Sequence, residues 1–164
     1  AVLACFYAVV GHRPEWVPIL HVFFDLGTAW CTYRVGTALW GSWIGAWAAA
    51  LVFLYPAYWT YDPRIRSEAL LTLLISAWLW ATIRCGQRPS QRQYAFMGCM
   101  AGFTILCKPV VLVLALLLTG LIWVGTDRLL QKIAYVVVYG TTCHALVAPG
   151  SVRNNVAFNH IIPV

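Results

Sequence analysis

From Gln93 to Thr126 the chain carries one charged residue, Lys108, and Pro109 follows it directly. As one helix these 34 residues would be about 51 Å long at 1.5 Å per residue. That is far more than the ~30 Å hydrocarbon core of a bilayer. The run therefore predicts two short helices meeting at "CKPV". Pro109 suits the first turn of the second helix, where its missing N–H is no loss, and Lys108 marks the point where the chain surfaces. The rest of the chain agrees on the solvent. It is 62% hydrophobic and 10% charged, with nine Trp in 164 residues, whereas a globular chain averages roughly 25% charged. A water-soluble domain of this size cannot bury that much apolar surface, so the bilayer is its natural solvent.

The same reasoning gives six candidate spans, approximately 17–34, 41–59, 67–83, 93–107, 109–126 and 132–149. All are read as helices, which satisfy their own backbone groups in lipid. The expected fold is all-α, a polytopic transmembrane bundle of about six spans. Residues 1–11 are too few to cross and are read as the end of a span or an interfacial helix. The chain starts without Met and stops after a polar loop. Residues 1–164 are therefore expected to be part of one transmembrane domain of a longer protein, an incomplete bundle. Gly41/Gly45 and Gly98/Gly102, each pair four apart, are read as packing positions that let helices approach closely.

The net charge of +6 does not mark a nucleic-acid surface, because the basic residues are scattered among connections rather than striped along one face. The connections fall into two sets. One holds Arg34, Arg84, Arg88, Arg92, Asp127, Arg128 and Lys132. The other holds Arg13, Glu15, the stretch 58–71, Lys108 and Arg153 to His160. Lys plus Arg number six against five, too even for the positive-inside rule to orient the chain. The first set is plain basic linker; the second mixes acids, bases, Tyr, Trp and Asn. The six Cys show no CxxC and no ligand spacing with His, so neither a disulfide framework nor a metal site is read from them.

Four features are candidates for chemistry. Asp25 lies well inside the first span, and an intramembrane carboxylate is by default a functional candidate. With no second acid nearby in sequence it is read as structural, facing the bundle and bonded to Thr28, His21 or a neighbouring helix. The stretch "YWTYDPRIRSEALL" gathers Asp62, Arg64, Arg66 and Glu68 within seven positions. Ser67 is a plausible N-cap there and Glu68 suits the first turn of a helix. Asp62–Arg66 and Arg64–Glu68 are spaced to pair if helical. Two Arg beside Tyr and Trp at a membrane surface suit a lipid phosphate or an interfacial belt. Lys108, taken alone, is a snorkelling anchor. The last segment leaves its helix at Pro149 and carries Arg153, Asn154 and Asn155. No Walker loop, Gly-x-Ser-x-Gly or His-Glu-x-x-His occurs.

In order, "YPAYWTYDPRIRSEALL", "GCMAGFTILCKPVVLVL" and "LVAPGSVRNNVAFNHIIPV" resemble the GT-C membrane glycosyltransferases. The likeness is to the family 39, dolichyl-phosphate-mannose–protein mannosyltransferase-like group that includes the lipid A aminoarabinose transferases. That family often shows Pro, a polar stretch and Ser-Glu opening a helix; then a Gly-x-x-x-Gly run ending in Thr-Arg-Pro or Thr-Lys; then a Pro-Trp-x-x-Arg-Asn pattern. Here Gly150 stands where the family commonly has Trp, Asn159 where it has Gly, and Lys108 replaces the usual Arg, a point charge instead of a fork.

The resemblance implies an enzyme, a hexosyl- or pentosyl-transferase. It would move a sugar from a polyprenyl-phosphate donor to an acceptor hydroxyl on a lipid, glycan or protein, at the outer face of a bacterial inner membrane. Lys108 and Arg153 would contact the phosphate, Arg64 and Arg66 would stand behind them, and Asn154 would add hydrogen bonds. The family's catalytic carboxylate lies in the first large extracytoplasmic loop. This chain is expected to begin just beyond it and so to be inactive alone. No cofactor is expected, and a divalent metal stays open. Without the resemblance, a transporter or lipid flippase and a non-catalytic assembly subunit remain alternatives.

Overall fold

Among the described residues, six α-helices of 13 residues or more overlap the stretches read as spans. The computed structural model describes residues 6–8, 11, 16–55, 68–124 and 128–158, with the side chains of 121–124 and 154–158 outside that description. The helices are α1 (Val17–Trp40), α2 (Ser42–Leu54), α3 (Glu68–Gln87), α4 (Gln91–Cys107), α5 (Leu112–Val124) and α6 (Leu129–Phe158). No strand occurs among the described residues. Among the described residues, two segments are long and apolar enough to cross a membrane by themselves: α3, mean hydropathy 1.5, and Leu129–Arg153 of α6, mean hydropathy 1.3.

The helix ends follow from local chemistry. Gly41 turns α1 into α2 at φ +96°, a left-handed conformation that glycine adopts without penalty. α2 ends before Tyr55, which is extended and precedes Pro56, as the residue before proline prefers. Ser90 is extended and caps α4, its hydroxyl accepting from the Gln93 N–H; the sequence reading did not single it out. The break at "CKPV" is present. Lys108 is extended (φ −145°, ψ 111°) and Pro109–Val111 form a 3-10 turn that leads into α5.

Several boundaries are corrected: α2 stops at Leu54 rather than 59, and Arg84, Arg92 and Lys132 lie in α3, α4 and α6 rather than in connections. Arg34 lies inside α1, which continues to Trp40, rather than in a connection. Its stem can lie along the helix while the guanidinium rests on aromatic rings. α6 does not stop at Pro149 but runs through it to Phe158, so Arg153 and Asn154 are helical rather than in a loop. A proline inside a helix costs about 3 kcal/mol in water. It is better tolerated in membrane helices, where neighbouring groups re-satisfy the freed carbonyl.

α1 packs on α2 and α3, α3 on α4, and α4 on α6, which also meets α5. Small residues set the two closest approaches. A Cβ on Gly36 would lie 2.7 Å from the Gly45 Cα, so Gly45 faces Gly36 while Gly41 serves the turn. Gly98 and Gly102 of α4 press on Tyr139, Thr142, Cys143 and Leu146 of α6. Around that contact sits the main core, with Trp78, Met97, Ala101, Ile105, Ala115 and Tyr139 all buried. The Tyr139 hydroxyl donates to the Ala115 carbonyl at 3.4 Å and ties α6 to α5.

Much of the outer surface is apolar as well. Phe23, Trp43, Leu51, Leu116 and Leu130 are each more than three-fifths exposed, an arrangement that water would penalise and lipid would not. α1 is the reverse. Its buried face carries Val17, His21, Asp25, Thr28 and Cys31, so its polar side chains point into the protein, where membrane helices keep them.

Candidate functional site

α3 and α4 run in opposite directions, so the first residue of α3 lies beside the last turn of α4. There Lys108 Nζ donates to Glu68 Oε1 at 3.2 Å. Each residue has its own reason to be there. Glu68 opens α3, where a carboxylate favours the helix dipole. Lys108 caps α4 because Pro109 forces the chain out of helix. Both side chains stay accessible, at 40% and 53% exposure for Lys108 and Glu68. An exposed pair of this kind contributes about 0–1 kcal/mol, so it orients the ammonium without locking it away from a competing anion.

The register of the neighbouring helices shows what else lies at this end. Gly98 meets Tyr139 and Thr142, and Gly102 meets Cys143 and Leu146, so α4 and α6 run in parallel with a fixed offset. Carried forward, that offset sets Lys108 level with Pro149 to Val152. Arg153, which is exposed, is the next residue along. α1 and α3 are parallel too, since Gly27 faces Leu73 and Trp30 packs on Trp80 at 5.1 Å between ring centroids. The same extrapolation sets Glu68 level with Pro18 to Val22. Lys108, Glu68 and Arg153 therefore share one end of the bundle, and the buried polar stripe of α1 starts at that level with His21.

Asp25 faces the interior as expected and is buried. The Thr28 hydroxyl, one of its expected partners, donates to the Phe24 carbonyl at 2.9 Å instead. His21 is buried as well, and the sequence reading gave it no role of its own. Its signal was available: His21, Asp25 and Thr28 recur at i, i+4 and i+7, one face of a helix. Arg64 and Arg66 lie outside the described residues, as do Asp62 and the Ser67 cap, and Asn154 is described only in its backbone. Among the described residues no group of three or more His, Cys, Asp or Glu is placed to hold a metal.

Among the described residues, the charged side chains at the other end of the bundle are all basic, Arg34, Arg84, Arg88, Arg92, Arg128 and Lys132. Arg84 lies 16 residues along α3 from Glu68, about 24 Å away at 1.5 Å per residue. That is close to the thickness of a hydrocarbon core. The two ends are thus chemically unlike: an acid–base pair with an accessible lysine at one, arginines on aromatic rings at the other.

Residues 1–152 match the family model described as dolichyl-phosphate-mannose-protein mannosyltransferase. No curated protein and no solved structure matches the chain.

Proposed function

The chain belongs to the dolichyl-phosphate-mannose-protein mannosyltransferase family, membrane glycosyltransferases of the GT-C type, and on that premise we propose that its Lys108 end holds the phosphate of a polyprenyl-phosphate sugar donor. The observation that carries this is the Lys108–Glu68 pair, 3.2 Å long and open to solvent at the end of the bundle. Glu68 presents the ammonium at the surface where a lipid-linked phosphate would arrive. The pair is weak enough for a dianionic or diester phosphate to compete for the lysine. Arg153, which the helix register brings to the same level, supplies the second cation. Arg64, Arg66 and Asn154 complete the phosphate-binding set by resemblance to the family.

The reaction is transfer of a hexose or pentose to an acceptor hydroxyl on a lipid, glycan or protein, at the outer face of a bacterial inner membrane. The acceptor oxygen forms a bond to the sugar's anomeric carbon while the bond from that carbon to the phosphate oxygen breaks. The hydroxyl proton passes to a carboxylate base. The electron pair leaves with the lipid phosphate, whose developing charge Lys108 and Arg153 stabilise. Neither Asp25, buried in α1, nor Glu68, which orients the lysine, is assigned the role of base.

The test is made on the full-length protein. Lys108→Ala and Arg153→Ala should each lower the transfer rate by about 10²-fold, the usual cost of removing one preorganised charge-stabilising group, with membrane expression unchanged. Near-normal rates in both variants would remove the phosphate-site assignment.

A further inference from the structure

At the end of the bundle away from Lys108, α1 and α3 diverge around a cavity of about 470 Å³ lined by Tyr33, Arg34, Thr37, Trp80, Arg84 and Arg88. Its cations are held, not trailing. The Arg34 guanidinium lies 5.7 Å from the ring centroids of both Trp30 and Trp80. The Arg84 guanidinium lies 5.4 Å from the Trp80 ring. Trp80 is fixed in turn by its edge-to-face contact with Trp30, 5.1 Å between centroids. A second, smaller hollow of about 210 Å³ shares Trp80 and Arg84 and adds Arg92.

No carboxylate neutralises this group among the described residues. The acids described are Asp25 and Glu68, and the Lys108–Glu68 pair is the ion pair found among those residues. Like charges gathered on one indole repel, and an anion between them would relieve that. The surroundings say which kind. The cavity lies at the C-terminal end of the apolar helix α3, where a membrane-spanning segment would reach the interface that Trp and Tyr rings mark. At the same end of the bundle, where α1 turns into α2, Trp40 and Trp43 are strongly exposed, which suits acyl chains and not water.

We propose that the cleft between α1 and α3 is a binding site for the phosphodiester headgroup of an anionic phospholipid. Arg34 and Arg84 present planar guanidinium forks, a geometry matched to phosphate oxygens. Trp80 holds the two forks in place, and Arg88 closes the cleft from the connection to α4. Basic pockets between membrane helices recognise anionic headgroups by this chemistry. The site is separate from the donor phosphate at Lys108, about 24 Å away across the bundle.

The experiment is native mass spectrometry of the purified full-length protein with added phosphatidylglycerol or phosphatidylcholine. The protein should retain phosphatidylglycerol about tenfold more than phosphatidylcholine, and millimolar inorganic phosphate should not displace it. In the double variant Arg34→Lys/Arg84→Lys every charge is kept but the forks are lost, and retention should fall about fivefold or more. If that variant does not fold, the single exposed substitution Arg88→Gln should lower retention at least about threefold. Arg88→Gln should leave the sugar-transfer rate unchanged, which separates this site from the donor site. Equal retention of the two lipids, or wild-type retention in the lysine double variant and in Arg88→Gln, would overturn the proposal. So would displacement by free phosphate, which would identify a soluble anion as the occupant.

Discussion

Gly98→Ala is the substitution whose cost the structure fixes most closely. A Cβ at position 98 would lie 2.5 Å from the Tyr139 carbonyl oxygen and would also meet the Thr142 hydroxyl. The hydroxyl cannot easily turn aside, because it already donates to the Val138 and Tyr139 carbonyls at 2.8 and 3.0 Å. The carbonyl belongs to the backbone of α6. Relief therefore requires α4 and α6 to separate by roughly half an ångström along the seam that buries Met97, Ala101 and Tyr139, an overpacking cost of about 1–3 kcal/mol. Alanine returns about 1 kcal/mol through helix propensity, so the net loss should be about 0–2 kcal/mol. Gly140→Ala is the control. It lies in α6 with nothing within 4 Å of its would-be Cβ, so propensity alone should act and stability should rise by about 0.5–1 kcal/mol. Equilibrium unfolding of the full-length protein in mixed detergent micelles measures both. The reasoning is refuted if Gly98→Ala is as stable as Gly140→Ala, because the close approach of α4 and α6 would then not be real.

Three further outcomes follow from contacts already described. Glu68→Gln should change stability by less than about 1 kcal/mol, since the pair it breaks is exposed; a larger loss on unfolding would mean that Glu68 carries structure and not just the orientation of Lys108. Tyr139→Phe should cost about 0.6–1 kcal/mol through loss of the bond to the Ala115 carbonyl, read from the same unfolding curves, and no change would remove that tie between α5 and α6. Single cysteines introduced at Arg88 and Lys108 in a variant lacking the native thiols should react with a membrane-impermeant maleimide from opposite sides of sealed vesicles; labelling from one side would contradict the assignment of Lys108 and the arginine cluster to different membrane faces.

Helix placement was legible in the sequence wherever a residue forces the backbone. Pro109 ends α4 and starts the next helix, and Glu68 opens α3, each through local chemistry that needs no partner; α2, expected to run to 59, instead stops at Leu54, two residues before Pro56. A charge or a proline alone does not mark a boundary in this chain. Arg34 looks like a connection because its charge is costly in lipid, yet Trp30 and Trp80 take its guanidinium while the helix runs on. Pro149 looks like a helix end, yet α6 continues for nine residues beyond it. The Lys108–Glu68 pair joins residues 40 apart, and only the antiparallel packing of α3 and α4 brings them together. Sequence placed both on one membrane face but gave no reason to expect contact. The pairing of Gly45 with Gly36 was hidden for the same reason: the spacing of Gly41 and Gly45 suggested one face, whereas one serves a turn and the other the packing.

The most direct measurement is the affinity of the full-length protein for a polyprenyl phosphate, taken by titration on wild type, Lys108→Ala and Lys108→Arg. If Lys108 holds the donor phosphate, Lys108→Ala should weaken binding by about 10- to 100-fold, as loss of a charge-assisted contact does. Lys108→Arg, which restores a cation in fork geometry, should bind within a few-fold of wild type. An unchanged affinity in Lys108→Ala would contradict the assignment of this end of the bundle to the donor phosphate.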